Sequence, residues 1–321
     1  MTDERQPAEG RLDPGLATIM AERGQLTGLA YRLLGSLADA DDVVQETYAR
    51  WYAMPTDQQA AIASPGAWLT TVAGRISLDL LRSARARRER YVGEWILEPV
   101  PGGTEWISGR VEGAATADPA DRVSLDESIS MAFLVLLESM SPAERVAFIL
   151  HDVFHYSFAE VADVVGRTPA ACRQLASSAR RHLRSSGAHA SLRADRAELV
   201  SDFRRAWEAK DIRALVDLLD PDATTVADGG GLVSAVARPV EGAERIARTY
   251  VEIADRTPGL TIQECVVNGQ PGLVTQHDGA TATVLAFDVA GGRITHIWAI
   301  RNPDKLRPWI TDEGARPPDS R

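Results

Sequence analysis

A group of arginine and polar side chains recurs at helical spacing after Pro169 and could contact nucleic acid. Four of these side chains fall on one face of a 3.6-residue helix, opposite an apolar stripe: Arg173, Ser177, Arg180 and Arg184. An arginine can bind guanine O6 and N7 with two hydrogen bonds, and a glutamine such as Gln174 can bind adenine N6 and N7. Arginines further along the helix suit phosphates, which position a protein without reading sequence. The residue types therefore indicate DNA recognition.

The elements that must position this face read as a helix-turn-helix. Ser157 and Glu160 form a capping box that begins a short helix, and Gly166 ends it. Thr168 then caps the next helix, with Pro169 at its first position. In a helix-turn-helix the second helix enters the major groove and its early residues meet the bases.

Position along the second helix divides its side chains into two roles. Arg173 and Gln174 come early enough to read bases, whereas Arg180, Arg181 and Arg184 are better placed for phosphates. An ordinary helical hairpin with a solvated basic face remains an alternative for this segment considered alone.

A second block, near the amino terminus, combines an acidic run with a basic helix. The acidic run is Asp41-Asp42-Val43-Val44-Gln45-Glu46-Thr47-Tyr48. A helix follows from Ser64, and its apolar stripe comprises Trp68, Leu69, Val72, Ile76 and Leu80. The chain then becomes densely basic, with arginines at positions 75, 82, 85, 87, 88 and 90. Such a local excess of positive charge indicates a polyanionic partner.

Both blocks resemble conserved regions of bacterial sigma factors of the extracytoplasmic-function group. The acidic run and the Trp68-Leu69-Thr70-Thr71-Val72 helix are similar to region 2, and Arg173-Gln174-Leu175 is similar to the recognition helix of region 4. The resemblance spans roughly residues 14–92 and 123–186, in the order and separation of that family.

The resemblance implies partners and roles. It implies that an acidic face docks on the β′ clamp helices of RNA polymerase, and this face comprises Asp41, Asp42, Gln45 and Glu46. It implies contacts of the basic helix with the −10 promoter element through Arg75, Arg82, Arg85 and Arg88. Region 4 would bind the polymerase β flap, and its recognition helix would bind the −35 element through Arg173, Gln174, Ser177, Arg180, Arg181 and Arg184. Ser178 departs from the family, which often has an arginine there.

A Gly/Pro-rich segment separates the two blocks. Its composition predicts a flexible linker over residues 93–122. The patch Trp95-Ile96-Leu97-Glu98-Pro99 differs from the rest, because it resembles a Trp-Leu-Pro-Glu-Pro signature of one subgroup of these sigma factors.

Residues 194–310 change from helical to mixed periodicity. Helices are predicted around Leu199–Trp207, Ile212–Leu219 and Gly242–Ala254, and strands over Leu260–Val267, Ala282–Val289 and Arg293–Ile300. Helices on an antiparallel sheet form an α+β cone, similar to the SnoaL-like, or nuclear transport factor 2-like, fold. The predicted fold class is therefore multidomain: two all-α sigma domains, this cone, and a disordered tail over 311–321.

Two motifs in the cone resemble the same sigma subgroup. Asp228-Gly229-Gly230-Gly231 matches an Asp-Gly-Gly-Gly motif, although Leu232 replaces the lysine that usually follows. Asn302-Pro303-Asp304-Lys305-Leu306 matches the terminal motif. The resemblance implies that the cone packs against the linker and tunes the activity of the sigma domains. We expect regulatory contacts from these two motifs and from Trp95, Glu98 and Pro99.

Two further functions remain open on the residues alone. Asp228, His277, Asp288 and His296 could form an acid/base pair in a cone cavity, which would make the chain an enzyme with a DNA-binding appendage. The chain could also be a helix-turn-helix regulator that needs no polymerase. An unknown small ligand in the cone is a further possibility.

Composition supports a protein delivered to DNA by a partner. The 321-residue chain has a formal net charge of −10, which disfavours tight unaided binding to DNA. We expect no membrane span and no signal peptide, and hence a cytoplasmic protein. Cys172 and Cys265 have no metal-ligand spacing, so we expect neither a metal nor a cofactor.

Overall fold

The computed structural model describes residues 22–88, 93–104, 127–185, 193–233 and 238–310. Side chains are described for these ranges except at residues 84–88, 127, 185, 193 and 194. The predicted tail 311–321, the linker residues 105–122 and the side chains of Arg85 and Arg88 lie outside this description.

The amino-terminal module is a set of packed helices. Its helices are α1 (Arg23–Leu34), α2 (Leu37–Tyr52), α3 (Thr56–Ala61) and α4 (Pro65–Arg88). Gly35, in the left-handed conformation at φ 70°, ends α1, and the Ser36 side chain accepts a hydrogen bond from Asp39 N–H at the start of α2. These local signals turn the chain sharply between α1 and α2, so the two helices pack against each other.

The second module carries the predicted helix-turn-helix. A 3₁₀ turn over Glu127–Ile129 leads into α5 (Met131–Glu138), α6 (Pro142–Phe148) and a π-helical turn (Ile149–Val153). The two helices of the motif are α7 (Phe158–Val165) and α8 (Pro169–Ser185). The predicted capping box at Ser157 and Glu160 is present, and Gly166 ends α7 in the left-handed conformation.

The carboxy-terminal module combines three helices with one mixed sheet. The helices are α9 (Arg193–Glu208), α10 (Ile212–Leu218) and α11 (Ala243–Arg256). The strands are β1 (Leu219–Asp228), β2 (Val240–Glu241), β3 (Thr261–Val267), β4 (Gln270–His277), β5 (Ala280–Ala290) and β6 (Arg293–Ile300). Their order is β2-β1-β6-β5-β4-β3, and β1 and β6 form the parallel pair. The predicted α+β class is confirmed.

Alternating side chains give this sheet two buried faces. Leu285 and Phe287 pack with the helices α9 to α11, whereas Val284 and Ala286 pack against the two amino-terminal modules. Trp298 of β6 also lies on the second face. Because successive strand residues point to opposite sides, one sheet serves both a domain core and an interdomain interface.

The linker prediction does not hold for residues 93–104. Ile96, Leu97 and Val100 are at most 3% exposed and belong to the core shared by the three modules. Glu98 N–H donates to Gly35 O, and Gly102 N–H donates to Val266 O. This segment is therefore fixed between α1 and the sheet, because burial of its apolar side chains outweighs the freedom that its composition suggested.

Within the described ranges, no helix is long and apolar enough to cross a bilayer.

Candidate nucleic-acid interface and interdomain contacts

The second helix of the helix-turn-helix presents a polar face to solvent. Thr168 Oγ1 accepts a hydrogen bond from Ala171 N–H and so caps α8, as predicted. Cys172, Ala176 and Ala179 are buried on the opposite side of the helix. Five of the six proposed −35 contacts are exposed: Arg173, Gln174, Ser177, Arg181 and Arg184. This face can approach DNA without rearrangement of α8.

Arg180 differs from its neighbours. Its Nε donates to Oδ1 of Asp152 at 2.6 Å, and the Asp152 side chain is only 5% exposed. A charge-assisted bond of this kind joins α8 to the π-helical turn. Arg180 is thus engaged within the module, so its assignment as a phosphate contact stays a prediction that requires this bond to break.

The acidic face predicted to bind polymerase lies on the outside of α2. Asp41, Asp42, Gln45 and Glu46 are all exposed, while Val43, Val44 and Thr47 between them are buried. Exposed ion pairs join Asp41 to Arg23 at 3.6 Å and Glu46 to Arg50 at 2.8 Å. Exposed pairs of this type are weak, so a basic partner surface can replace them.

The basic helix α4 contacts the helix-turn-helix directly. Nε and Nη2 of Arg75 donate to the backbone O of Asp163 in α7, at 3.1 and 2.8 Å. Arg82 instead pairs with Asp79 at 3.0 Å on the exposed surface. Arg75 therefore ties the first module to the second in this structure, and its predicted −10 contact requires the two modules to separate.

The same interface is close and hydrogen-bonded. A Cβ added to Gly74 would lie 2.7 Å from Cγ1 of Val164, so only glycine permits this helix crossing. The hydroxyl of Tyr156 lies 2.9 Å from Thr70 Oγ1 and accepts a hydrogen bond from Gln25 Nε2 at 3.1 Å. Burial raises the pKa of Tyr156, so this hydroxyl stays protonated. The first and second modules are thus held together.

A buried ion pair joins the two cone motifs to the linker. Nζ of Lys305 lies 2.7 Å from Oδ2 of Asp228, and their side chains are 9% and 0% exposed. Lys305 also donates to the backbone O of Ile96, and Ile96 N–H donates to Asp228 Oδ2 at 3.2 Å. The ammonium lies 3.5 Å from the ring centroid of Trp95. Burial lowers the pKa of Lys305, and the nearby Asp228 opposes this shift.

The cation beside the Asp-Gly-Gly-Gly motif is Lys305, whereas Leu232 is exposed. The terminal motif, 77 residues further along the chain, places this lysine beside Asp228. Its field also acts on Glu98. Although Leu232 is not a lysine, the charge of Lys305 therefore acts on both Asp228 and Glu98.

Glu98 connects the linker to the acidic helix. Its Oε2 accepts a hydrogen bond from Leu37 N–H, the first residue of α2, at 2.7 Å. Burial raises the pKa of Glu98, while the Leu37 N–H and the charge of Lys305 act in the opposite direction. Pro99 O accepts a hydrogen bond from Trp309 Nε1 at 2.9 Å. The linker patch is therefore bonded to α2 on one side and to the cone on the other.

The remaining motif residues shape the loop around this pair. Gly230 has φ 63°, and a Cβ there would lie 2.5 Å from Nδ2 of Asn302, so the two motifs approach through a glycine. Gly229 and Leu306 are buried, whereas Gly231, Pro303 and Asp304 are exposed. Asp304 N–H donates to Asn302 Oδ1 at 3.0 Å, which holds the turn.

Asn268, which the sequence analysis did not single out, contacts all three modules. It is 0% exposed and lies at the tip of the β3–β4 hairpin with φ 50°. Its Nδ2 donates to Tyr31 O–H in α1 at 2.7 Å and to Ile129 O at 2.9 Å. Its Oδ1 accepts from Val100 N–H at 2.9 Å. The Asn268-Gly269 turn was a detectable hairpin signal, but its partners are too distant in sequence to be inferred.

The residues of the enzyme alternative do not form a common site. Asp228 is paired with Lys305. Asp288 and His296 are register partners, yet Asp288 Oδ1 accepts from Val289 N–H and His296 stacks on Trp298. His277 lies beside the exposed Asp278. Among the described residues, no group of three potential ligands could hold a metal ion.

Aromatic rings occupy the interior of the cone. Phe203 packs edge-on against Tyr250 and Phe287, with centroids 5.3 and 5.4 Å apart. Trp207 packs against Tyr250 at 4.8 Å, and its Nε1 donates to Tyr250 O. These contacts form a packed core and give the small-ligand hypothesis no support.

Comparisons with known proteins agree on one family. A model of sigma-70 region 2 matches residues 18–87, and a model of sigma-70 region 4 matches residues 130–183. The extracytoplasmic-function (ECF) RNA polymerase sigma factor SigJ of Mycobacterium tuberculosis is 41% identical over 89% of this chain and 91% of its own. The probable ECF RNA polymerase sigma factor SigI of the same organism is 33% identical over 94% of this chain and 98% of its own.

A solved structure extends this similarity to the whole fold. The crystal structure of the M. tuberculosis extracytoplasmic-function sigma factor SigJ superposes with a TM-score of 0.69 at 34% identity. The match covers 90% of this chain and 97% of SigJ. It therefore includes the carboxy-terminal module as well as the two helical ones.

Proposed function

Because the chain belongs to the extracytoplasmic-function RNA polymerase sigma factors, which are not enzymes, we propose specific roles for its three modules in promoter selection. The acidic face of α2 docks on the β′ clamp helices of polymerase, and the second module contacts the β flap. Helix α4 contacts the −10 element, and α8 reads the −35 element. This assignment places the chain's activity in the cytoplasm.

The contact between α4 and α7 means that promoter binding requires the modules to separate. Elements centred at −10 and −35 lie about 25 base pairs apart, which is about 85 Å at 3.4 Å per base pair. In this structure Arg75 of α4 bonds directly to Asp163 of α7 at 2.8 Å. The free chain is therefore closed, and the promoter-bound chain is open.

The carboxy-terminal module stabilises the closed arrangement. Its Asn268 bonds to Tyr31 of α1 and to Ile129 at the entry of the second module. Its Lys305 holds the linker at Ile96, and the linker residue Glu98 bonds to the start of α2. A domain that binds one of two states shifts the equilibrium by its differential binding free energy. We therefore assign the module an inhibitory role: it sets the fraction of chains that can open.

Energy transfer between dyes on the two helical modules tests this proposal. We would label Gln58 of α3 and Ala159 of α7, both exposed, and measure transfer in the free chain, with core polymerase, and with core polymerase on a promoter. Transfer should be high in the free chain and should fall when the promoter complex forms. A promoter with a scrambled −35 element is the matched control.

Run-off transcription with purified core polymerase tests the sigma assignment itself. The full-length chain should direct initiation at promoters that core polymerase alone does not use. Tight specific binding to promoter DNA without polymerase would instead favour an independent helix-turn-helix regulator. Unchanged energy transfer in an actively initiating complex would contradict the opening step alone.

A further inference from the structure

Two stacked aromatic side chains, His151 and Phe158, lie beside Arg173, the first arginine of α8. The imidazole of His151 lies 3.8 Å from the ring of Phe158, centroid to centroid, with ring planes 26° apart. Cζ of Arg173 lies 5.1 Å from the centroid of the same phenyl ring. The phenyl ring of Phe158 therefore contacts both the imidazole of His151 and the guanidinium of Arg173. The stack therefore connects the π-helical turn, the start of α7 and the first turns of α8.

The two aromatic layers are fixed by contacts that need no DNA. His151 Nδ1 lies 2.8 Å from the backbone O of Tyr156. Phe158 is the first residue of α7, whose start is set by the capping box of Ser157 and Glu160, and its ring packs against the core. Arg173 itself is exposed. A rigid aromatic surface thus lies under a side chain that is free to meet a base.

Stacking and base readout use different parts of a guanidinium group. The group stacks on an aromatic ring through its flat face and donates hydrogen bonds from its edge. An arginine held on Phe158 can therefore still donate two hydrogen bonds to guanine O6 and N7. Because its rotamers are already restricted, less conformational entropy is lost on binding.

We propose that Phe158, supported by His151, is a positioning residue that orients Arg173 for guanine recognition. The inference rests on the proposed function, in which α8 reads the −35 element. Phe158 contacts Arg173 and no base. It should affect discrimination at the one promoter position that Arg173 reads, and leave the other −35 positions unchanged.

The test measures run-off transcription by core polymerase with variants of the full-length chain. Each variant is assayed on one promoter and on all single-base substitutions of its −35 element. Phe158→Leu keeps an apolar side chain at the start of α7 but removes the aromatic face, and Phe158→Tyr keeps the face. Arg173→Ala identifies the position that the arginine reads. The double variant Phe158→Leu/Arg173→Ala reports whether the two residues act together.

We expect Arg173→Ala to abolish base preference at one −35 position. Phe158→Leu should weaken the preference at that same position about two- to fivefold, the range that an exposed cation–π contact supplies. Phe158→Tyr should retain it. The double variant should match Arg173→Ala, because the phenyl ring acts only through the arginine.

Three results would overturn the inference, and they differ in what else they reject. If Arg173→Ala leaves every −35 preference intact, the assignment of Arg173 in the proposed function fails as well. If Arg173→Ala removes a preference that Phe158→Leu leaves at full strength, only the positioning role fails. If Phe158→Leu weakens all −35 positions equally, Phe158 supports the fold of the module and does not position Arg173.

Discussion

Lys305 and Asp228 form an ion pair at 2.7 Å whose side chains are 9% and 0% exposed. Both partners also bond to Ile96 of the linker, so this pair fixes the linker on the carboxy-terminal module. A buried charge without its partner is strongly unfavourable, whereas removal of both partners is often tolerated.

We therefore predict that Lys305→Met lowers the free energy of unfolding by about 3–5 kcal/mol, because it leaves the buried Asp228 carboxylate without its counter-ion. Urea titration followed by tryptophan fluorescence measures this change. The double variant Asp228→Asn/Lys305→Met should recover much of the loss. Lys210→Met is the matched control, because the side chains of the Lys210–Asp255 ion pair are 47% and 57% exposed. This variant should lower the free energy of unfolding by less than about 1 kcal/mol.

The buried pair also shows how far the sequence could predict the structure. Local signals were sufficient for the helix-turn-helix, because Ser157, Thr168 and Pro169 act on neighbouring backbone groups. The motif resemblance identified Asp228 and Lys305 separately. Their pairing depends on the end of β1 lying next to the terminal motif that follows β6, which no local pattern encodes.

Other features escaped prediction for physical reasons that differ. The strands β1, β2 and β4 were missed: β1 contains Pro221 between two aspartates, β2 has two residues, and β4 contains Pro271 and Gly272. Proline and glycine disfavour strands locally, and tertiary pairing overrides them here. The bond between Asn268 and Tyr31 spans 237 residues of sequence, so only the assembled modules reveal it.

Asn268→Gly should loosen the junction of the three modules without straining the hairpin. Glycine accepts the left-handed backbone of this position, but the variant loses the side-chain hydrogen bonds to Tyr31, Ile129 and Val100. We expect the free energy of unfolding to fall by about 1–3 kcal/mol, since the buried polar groups that bonded to Asn268 lose this partner. Hydrogen exchange should increase in α1 and in residues 93–104.

Asp278→Gly provides the matched control for this variant. Asp278 has φ 52° at the tip of the β4–β5 hairpin and is followed by Gly279, as Asn268 is followed by Gly269. Its side chain is 91% exposed. The control should therefore leave exchange in α1 unchanged. Equal effects of the two variants would assign the change to the turn and not to the junction.

Glu98→Gln should flatten the pH dependence of stability. Burial raises the pKa of Glu98 above its ordinary value of 4.5, so the folded chain binds this proton more tightly than the unfolded chain. Its contribution to stability is therefore complete below about pH 4.5 and is lost as the pH rises through the raised pKa. A glutamine keeps an oxygen for Leu37 N–H and does not titrate.

Urea titrations between pH 4.5 and pH 7 measure how the free energy of unfolding of the original chain and of Glu98→Gln depends on pH. The free energy of unfolding of the original chain should fall, relative to that of Glu98→Gln, as the pH rises. Glu94→Gln, at an exposed position of the same linker, serves as the control. Parallel pH profiles for the original chain and Glu98→Gln would reject this linkage.

Asp42→Lys should abolish binding to core polymerase. It reverses the charge at an exposed position of α2, where the proposed partner surface is basic, and like charges across an interface oppose association. The folded structure should be unaffected, because Asp42 is exposed on the surface of α2. Pull-down of purified core polymerase measures the effect.

The matched variant Asp217→Lys makes the same charge reversal at an exposed position of α10 in the carboxy-terminal module. It should retain polymerase. If both variants lose polymerase, the effect comes from net charge; if neither does, the docking surface is elsewhere.

Gly74→Ala should favour the open chain. The added Cβ would lie 2.7 Å from Cγ1 of Val164, and a β-branched side chain has few rotamers with which to move aside. Within α4 alone the change should be favourable by up to about 1 kcal/mol, because alanine is a better helix former than glycine. The variant thus weakens the contact between α4 and α7 without weakening α4.

If the closed arrangement limits initiation, Gly74→Ala should raise run-off transcription at low chain concentration and lower energy transfer in the free chain. Tyr156→Phe should act in the same direction, because it removes the hydrogen bonds to Thr70 and Gln25. Ser83→Ala, at an exposed position of α4, should change neither measurement. Lower energy transfer without increased transcription would show that opening is not the limiting step, and would leave core binding or promoter melting as the step that controls initiation.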